Sequence, residues 1–210
     1  MGRDNPGRRF PVGRRLARLD LVAHGVAFAS CAAGGIIVES VILVAAASHH
    51  AATIAFRLLS IEKLAMQTRP KTEVAFSVVQ IALCMCCVVM VLVVIALGTH
   101  DIFHGESLDA LAVAAFALPG SFAIATTAGL ACGSARAGED PSRADAVLSA
   151  VPTALAFGVA FCDLGIAAGR LDALAGLVAV LVLCVRAVIN LGQTLDLMAA
   201  NKQVDNIEWR

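Results

Sequence analysis

Charged residues are scarce in this sequence. Only 15% of its 210 residues are Asp, Glu, Lys or Arg, whereas 59% are hydrophobic and the mean hydropathy is +0.83. A soluble domain of this length could not hide so much apolar surface in one core, but a lipid bilayer can solvate it. Net charge is absent too, since 16 basic residues balance 16 acidic ones, so no nucleic-acid partner is indicated. The composition predicts an integral membrane protein in a lipid bilayer.

Motifs of the common enzyme classes are also missing. The chain has no Ser-His-Asp order, no Gly-rich phosphate loop and no zinc-protease motif, so no catalytic residue is assigned. Its seven cysteines are odd in number and lack the spacing of a zinc ribbon or redox loop. On a helix Cys84 and Cys87 share a face while Cys86 points elsewhere. We interpret these cysteines as packing residues, with a soft-metal site as the alternative.

Long apolar runs provide the main structural signal. Runs near the spanning length of about 20 residues predict helices, because a lipid-embedded backbone must satisfy its own hydrogen bonds. Six such spans are expected, at residues 21–37, 41–59, 74–97, 108–132, 147–166 and 174–192. The predicted fold is therefore all-α, with a basic tail at 1–20, a six-helix transmembrane domain at 21–195 and a short tail at 196–210.

The basic residues predict the topology. Of the 16, only Arg170 falls on one side of the predicted membrane, and the segment 98–109 between the third and fourth spans has none. The others lie in the N-terminal tail, the second-to-third and fourth-to-fifth connections, and the last span with its tail. Because positive residues concentrate on the cytoplasmic side, both termini are expected inside, in a multi-pass protein of the inner (cytoplasmic) membrane.

Ionisable residues within spans are candidates for function, because they are costly in hydrocarbon. His49 and His50 fall near the middle of the second span, and Thr53 follows His49 by one turn. Neutral imidazole is a good ligand for zinc and similar ions, so ion or proton handling competes with a structural role for this pair. Asp172 opens the sixth span, where we expect it to cap that helix.

The second span resembles that of a known transporter family. Residues 39–53, ESVILVAAASHHAAT, are similar to the second helix of the cation diffusion facilitators, in which a small-Ser-apolar run leads to a His/Asp-x-x-x-Asp ligand pair. In the register set by Ser40, His49 and Thr53 take the two ligand positions. In the alternative register, measured back from Glu73, His50 takes a ligand position.

The fifth and sixth spans resemble the same family in their pattern of polar and apolar residues more than in their metal ligands. Residues 142–152, SRADAVLSAVP, are similar to the Asp-x-x-His-x-x-x-Asp opening of helix five. Asp145 is retained there, whereas Leu148 and Pro152 replace the ligating His and Asp. Residues 169–174 and 191–197 resemble the start and the amphipathic end of helix six. The resemblance covers residues 15–198 and is closest to a short branch that lacks the cytoplasmic metal-binding domain.

The resemblance implies a homodimeric six-helix exporter with both termini inside, which exchanges Zn²⁺ or a related divalent cation for protons. His49, His50, Thr53 and Asp145 would be its metal residues, and no resident cofactor is expected. Loss of two ligand positions also allows a divergent relative with a degenerate metal site. Two other hypotheses stay open: a membrane-embedded enzyme or biosynthetic accessory that uses the bundle as an apolar cavity, and a non-transporting subunit that dimerises through small-residue faces such as Gly34–Gly35.

Overall fold

The structure, a computed structural model, describes the backbone of residues 10–65, 70–104, 108–136, 143–161 and 168–208. Within these ranges the chain forms six helices and no strand. They are α1 (Phe10–Ile37), α2 (Val41–Ala65), α3 (Pro70–His104), α4 (Ala110–Arg136), α5 (Arg143–Phe161) and α6 (Ala168–Glu208). The prediction of an all-α membrane bundle is confirmed. The helices α1 and α6 extend well into the segments predicted as tails.

Five of the described helices are long and apolar enough to cross a membrane. Their candidate spans are Ala17–Ile37, Val41–Leu59, Ser77–His104, Ala110–Cys132 and Ala168–Ile189. The apolar part of α5 is shorter, at Ala150–Phe161, and residues 162–166 of the predicted fifth span lie outside the described residues. These spans make the chain a multi-pass membrane protein.

Helix α2 is the central element of the bundle. It packs against α1, α3, α5 and α6 and also touches α4, while α3 pairs with α6 and α1 with α4. In the apolar part of its span, 67% is buried inside the protein, whereas the corresponding share for α3 is 28%. The alanines of α2 allow this, because small residues let neighbouring helices approach closely. The larger apolar side chains of α3 instead face the lipid.

Two glycines show how close the helices come. A Cβ placed on Gly34 would lie 2.5 Å from Phe116 Cγ, and one on Gly176 would lie 2.6 Å from Val41 Cγ1. Both contacts join helices within one chain, α1 to α4 and α6 to α2. The small-residue face at Gly34, which the sequence offered for contact between subunits, is therefore used inside the bundle.

A carboxylate from α6 holds the start of α2. Ser40 is the N-cap of α2, since Leu43 N donates to its hydroxyl at 3.3 Å. The same hydroxyl donates to Asp172 Oδ1 at 2.7 Å, and the amides of Val41 and Ile42 donate to Asp172 Oδ2. We expected Asp172 to cap its own helix. That expectation was wrong in its target, because α6 already begins at Ala168 and the carboxylate is directed at the N-terminus of α2.

Candidate functional site

Ionisable side chains meet in the interior of the bundle. Asp20 and His24 lie on α1, His50 lies on α2 and Thr127 lies on α4, and each is 1% exposed or less. We call these four residues the buried polar chain. His50 is the middle residue of the span Val41–Leu59, while Asp20 lies close to the predicted cytoplasmic end of the span Ala17–Ile37. The buried polar chain therefore reaches from mid-membrane towards the side that the sequence predicts to be cytoplasmic.

Hydrogen bonds link the four residues in sequence. The hydroxyl of Thr127 donates to Asp20 Oδ1 at 2.8 Å, and Thr127 Oγ1 lies 3.0 Å from His24 Nε2. The two imidazoles meet through their Nδ1 atoms at 2.9 Å. Thr126 supports the carboxylate with a second hydroxyl, 3.1 Å from Asp20 Oδ1. Three helices thus build one continuous hydrogen-bonded path.

The direction of these bonds assigns the tautomers of both imidazoles. Thr127 donates its only hydroxyl proton to Asp20, so its oxygen must accept the hydrogen bond from His24 Nε2–H. With both rings neutral, His24 Nδ1 is then an acceptor, and His50 Nδ1 is the donor between the rings. His50 Nε2 is left with a lone pair. The path therefore ends at mid-membrane in an unprotonated imidazole nitrogen.

An ion pair lies at the other end of the path. Arg57 Nε is 3.4 Å from Asp20 Oδ2, and His24 Nε2 is 3.7 Å from Asp20 Oδ1. Arg57 lies on α2, two helical turns beyond His50, which places it about 10 Å further along the helix axis. The Asp20 carboxylate thus lies between the Arg57 guanidinium and the His24 imidazole.

A second polar group surrounds Arg186 of α6. Its Nη1 donates to Thr53 Oγ1 at 2.5 Å and lies 3.4 Å from His49 Nε2, while Thr53 donates to the His49 carbonyl at 2.9 Å. Arg186 is only 3% exposed and lies inside the span Ala168–Ile189. A guanidinium has donors only and stays charged. It therefore places a fixed positive charge between His49 and Thr53.

The structure separates the residues that the sequence grouped as metal ligands. His49 and Thr53 are brought together at Arg186, whereas His50 turns to His24, and the ring centroids of the two adjacent histidines are 6.2 Å apart. Asp145 lies on α5, but its side chain is outside the described residues. Among the described residues, no three His, Cys, Asp or Glu side chains form a group that could hold a metal ion.

The sequence interpretation missed Asp20, Arg57 and Arg186. Asp20 was placed in the tail, although it stands four residues before His24, a spacing that puts both side chains on one helix face. Arg186 was counted with the cytoplasmic charges, and that assignment was wrong, because the residue is buried within its span. The useful signal was its position inside the apolar run 177–191, where an arginine is costly unless it has polar partners.

The cysteines of α3 do not converge on one point. Cys84 and Cys87 are buried, and Cys84 Sγ donates to the Ala187 carbonyl of α6 at 3.7 Å. Cys86 is exposed on the outer face of the helix. This arrangement agrees with the predicted packing role, since the two buried thiols fill the contact between α3 and α6.

Compared with known proteins, the chain matches no protein-family model and no curated protein sequence.

Proposed function

We propose that this chain is a proton-moving membrane transporter, a divergent relative of the cation-efflux exporters whose metal site has degenerated. The observation that supports it is the buried polar chain, Asp20–Thr127–His24–His50, which links mid-membrane to the predicted cytoplasmic end of the first span by hydrogen bonds of 2.8, 3.0 and 2.9 Å. Chains of acidic and histidine side chains inside membrane proteins are typical of proton relays.

The tautomers make such a relay chemically direct. A proton that reaches His50 Nε2 allows the proton on His50 Nδ1 to pass to His24 Nδ1. His50 then returns to neutrality as its other tautomer, and His24 becomes an imidazolium with Asp20 at 3.7 Å. A carboxylate nearby stabilises that charge. Release towards the cytoplasm is expected past Thr127, Asp20 and Arg57.

The position of Arg186 supports the proposal that the metal site at His49 and Thr53 has degenerated. A divalent cation held by His49 and Thr53 would lie beside a guanidinium that already contacts both residues. Like charges a few ångströms apart in a medium of low dielectric repel strongly. The proposal therefore gives proton movement to His24 and His50 and gives no cation to His49 and Thr53. It retains the homodimer in the inner membrane that the resemblance implies.

The test is a proton-flux measurement on the purified chain in liposomes. A potassium diffusion potential, negative inside, drives protons inward, and a trapped dye reports the internal pH. We expect the wild-type flux to exceed that of empty liposomes and the His50→Asn variant to fall to the empty level. His104→Asn is the matched control, because His104 is exposed, stacks on His100 and donates to the His100 carbonyl, away from the buried polar chain. Wild-type flux no greater than that of empty liposomes would refute the proposal.

A further inference from the structure

Two exposed histidines stack on each other at the C-terminal end of α3. His100 and His104 are four residues apart on this helix, a spacing that places both side chains on one face. Their ring centroids are 4.2 Å apart, and the ring planes differ by 15°. We call these two residues the outer histidine pair, because they lie in the segment 98–109 that the sequence predicts to be external. The pair has no part in the buried polar chain.

Both imidazoles of the pair direct Nδ1 at an acceptor. His104 Nδ1 lies 2.9 Å from the carbonyl oxygen of His100, and His100 Nδ1 lies 3.1 Å from Asp101 Oδ1. A carbonyl and a carboxylate accept hydrogen bonds, so in the neutral rings Nδ1 carries the proton and donates it. Nε2 is therefore the atom with a lone pair in both histidines.

This hydrogen-bond pattern is the one that metal-binding histidines show in proteins. Such histidines almost always donate the other ring N–H to a carboxylate, a backbone carbonyl or water, which fixes the tautomer and orients the ring. Two histidines at i and i+4 on one helix face are also the arrangement by which a common helical motif holds zinc. The outer histidine pair thus has both the spacing and the tautomers that a metal ion requires.

The surroundings of the pair favour a cation. His100 and Asp101 line a cavity of about 370 Å³ at this end of the bundle, and Glu39 and Asp172 contribute further carboxyl groups to its wall. None of the described residues that line this cavity is Lys or Arg, and residues 98–109 contain neither. Clefts lined by groups of one charge concentrate ions of the opposite charge. No fixed positive charge on the cavity wall therefore opposes a metal ion at the pair.

We propose that the outer histidine pair binds a divalent transition-metal ion through His100 Nε2 and His104 Nε2. Imidazole nitrogen suits Ni²⁺, Cu²⁺ and Zn²⁺. Because both rings are exposed, their side chains can rotate to direct the two lone pairs at one ion. Water fills the remaining coordination positions, since no third His, Cys, Asp or Glu side chain completes a metal group within the described parts of the chain. Asp101 is a positioning residue, which holds the tautomer of His100.

Isothermal titration of Ni²⁺ into the purified full chain in detergent, without a histidine tag, tests the site. Loss of the partner that orients a ligand typically lowers metal affinity by about 10–100-fold. We therefore expect Asp101→Ala to lower the Ni²⁺ affinity by about tenfold, and His100→Asn or His104→Asn, which each remove a ligand, to lower it further. Asp101→Asn keeps an acceptor oxygen for His100 Nδ1 and should lose less affinity than Asp101→Ala.

A double variant separates the spacing of the histidines from their number. Thr99 is exposed, so Thr99→His can be combined with His104→Asn without disturbing the core. The combination restores the number of histidines but places two of them at adjacent positions. Adjacent residues do not face each other on a helix. The Ni²⁺ affinity of the double variant should therefore stay at the level of His104→Asn.

The same titrations can overturn the site. Affinity that is unchanged in His100→Asn and His104→Asn, or restored by Thr99→His, would contradict it, as would a wild-type protein that binds no Ni²⁺ at millimolar concentration. Should a variant fail to fold, nickel X-ray absorption by the wild-type complex decides. Outer-shell scattering from two imidazoles supports the site, and sulfur in the first shell contradicts it. A chelator in the proton-flux assay keeps the site empty, so His104→Asn remains a control there.

Discussion

Arg186 Nη1 lies 2.5 Å from the hydroxyl of Thr53 and 3.4 Å from the imidazole of His49, so a fixed guanidinium contacts two of the four residues that the sequence predicted as metal ligands. The charge comes from α6, a helix from which the sequence analysis assigned no ligand. The guanidinium is expected to repel a divalent cation from His49 and Thr53.

Zinc is expected to bind the wild-type protein weakly. Two of the family's ligand positions are Leu148 and Pro152, and Arg186 repels a second cation at His49 and Thr53. We expect a dissociation constant above about 1 μM, which corresponds to a binding free energy smaller in magnitude than about 8.2 kcal/mol. Structural zinc sites bind their ion with about 10–16 kcal/mol. Isothermal titration in detergent measures it. Nanomolar binding that disappears in His49→Ala would contradict the expectation.

Asp172 is expected to stabilise the bundle by holding the start of α2. Replacement with Ala leaves the Ser40 hydroxyl and the amides of Val41 and Ile42 without their acceptor, and orphaned buried donors cost about 1–3 kcal/mol each. We expect a loss of about 2 kcal/mol or more of unfolding free energy, seen as a lower Tm in detergent, with a smaller loss in Asp172→Asn.

Asp109 provides the control for that measurement. Its carboxylate accepts from the amides of Leu111 and Ala112 at the start of α4, in the same role, but at an exposed position where water can replace it. Asp109→Ala should therefore shift Tm less than Asp172→Ala does. Equal shifts in the two variants would show that burial of the Asp172 carboxylate contributes nothing.

The sequence predicted the helices well, because lipid imposes one simple rule on them. The predicted second span, 41–59, coincides with the observed candidate span Val41–Leu59, and the first, third, fourth and sixth agree apart from displaced ends. The fifth is not matched, because the described apolar part of α5, Ala150–Phe161, is shorter than a span. Apolar length alone determines whether a segment can cross the bilayer. No tertiary information is needed for that inference, so an all-α membrane fold followed directly from the runs.

The site was less predictable, because it depends on which helix faces meet. His49 and His50 were found from the sequence as an adjacent pair, yet they point to different partners on α6 and α1. Adjacent residues differ by about 100° around a helix, so a shared site was unlikely on geometry alone. Which neighbours they meet depends on packing between α1, α2, α4 and α6, and apolar runs and residue spacing do not reveal that packing.

Topology is expected to follow the basic residues even without Arg186. The N-terminal tail and the second-to-third connection still hold most of the positive charge, and residues 98–109 hold none. Reporter fusions at positions 5, 65, 138 and 205 should therefore read cytoplasmic, and a fusion at position 105 should read external. A cytoplasmic reading at position 105 would exclude both termini inside with six crossings.

The adjacent histidines should differ in what their loss does. His50 belongs to the buried polar chain, so His50→Asn should abolish proton flux in liposomes while leaving most of the protein folded. His49 accepts a hydrogen bond from Arg186 and lies outside the buried polar chain. Loss of this hydrogen bond in His49→Asn should therefore lower Tm. The proton flux per folded molecule should stay within about twofold of wild type, because the proton path does not include His49. Flux and the folded fraction are measured on the same preparations. If His49→Asn loses flux as completely as His50→Asn at an equal folded fraction, protons pass through the His49–Arg186 contact rather than through His24.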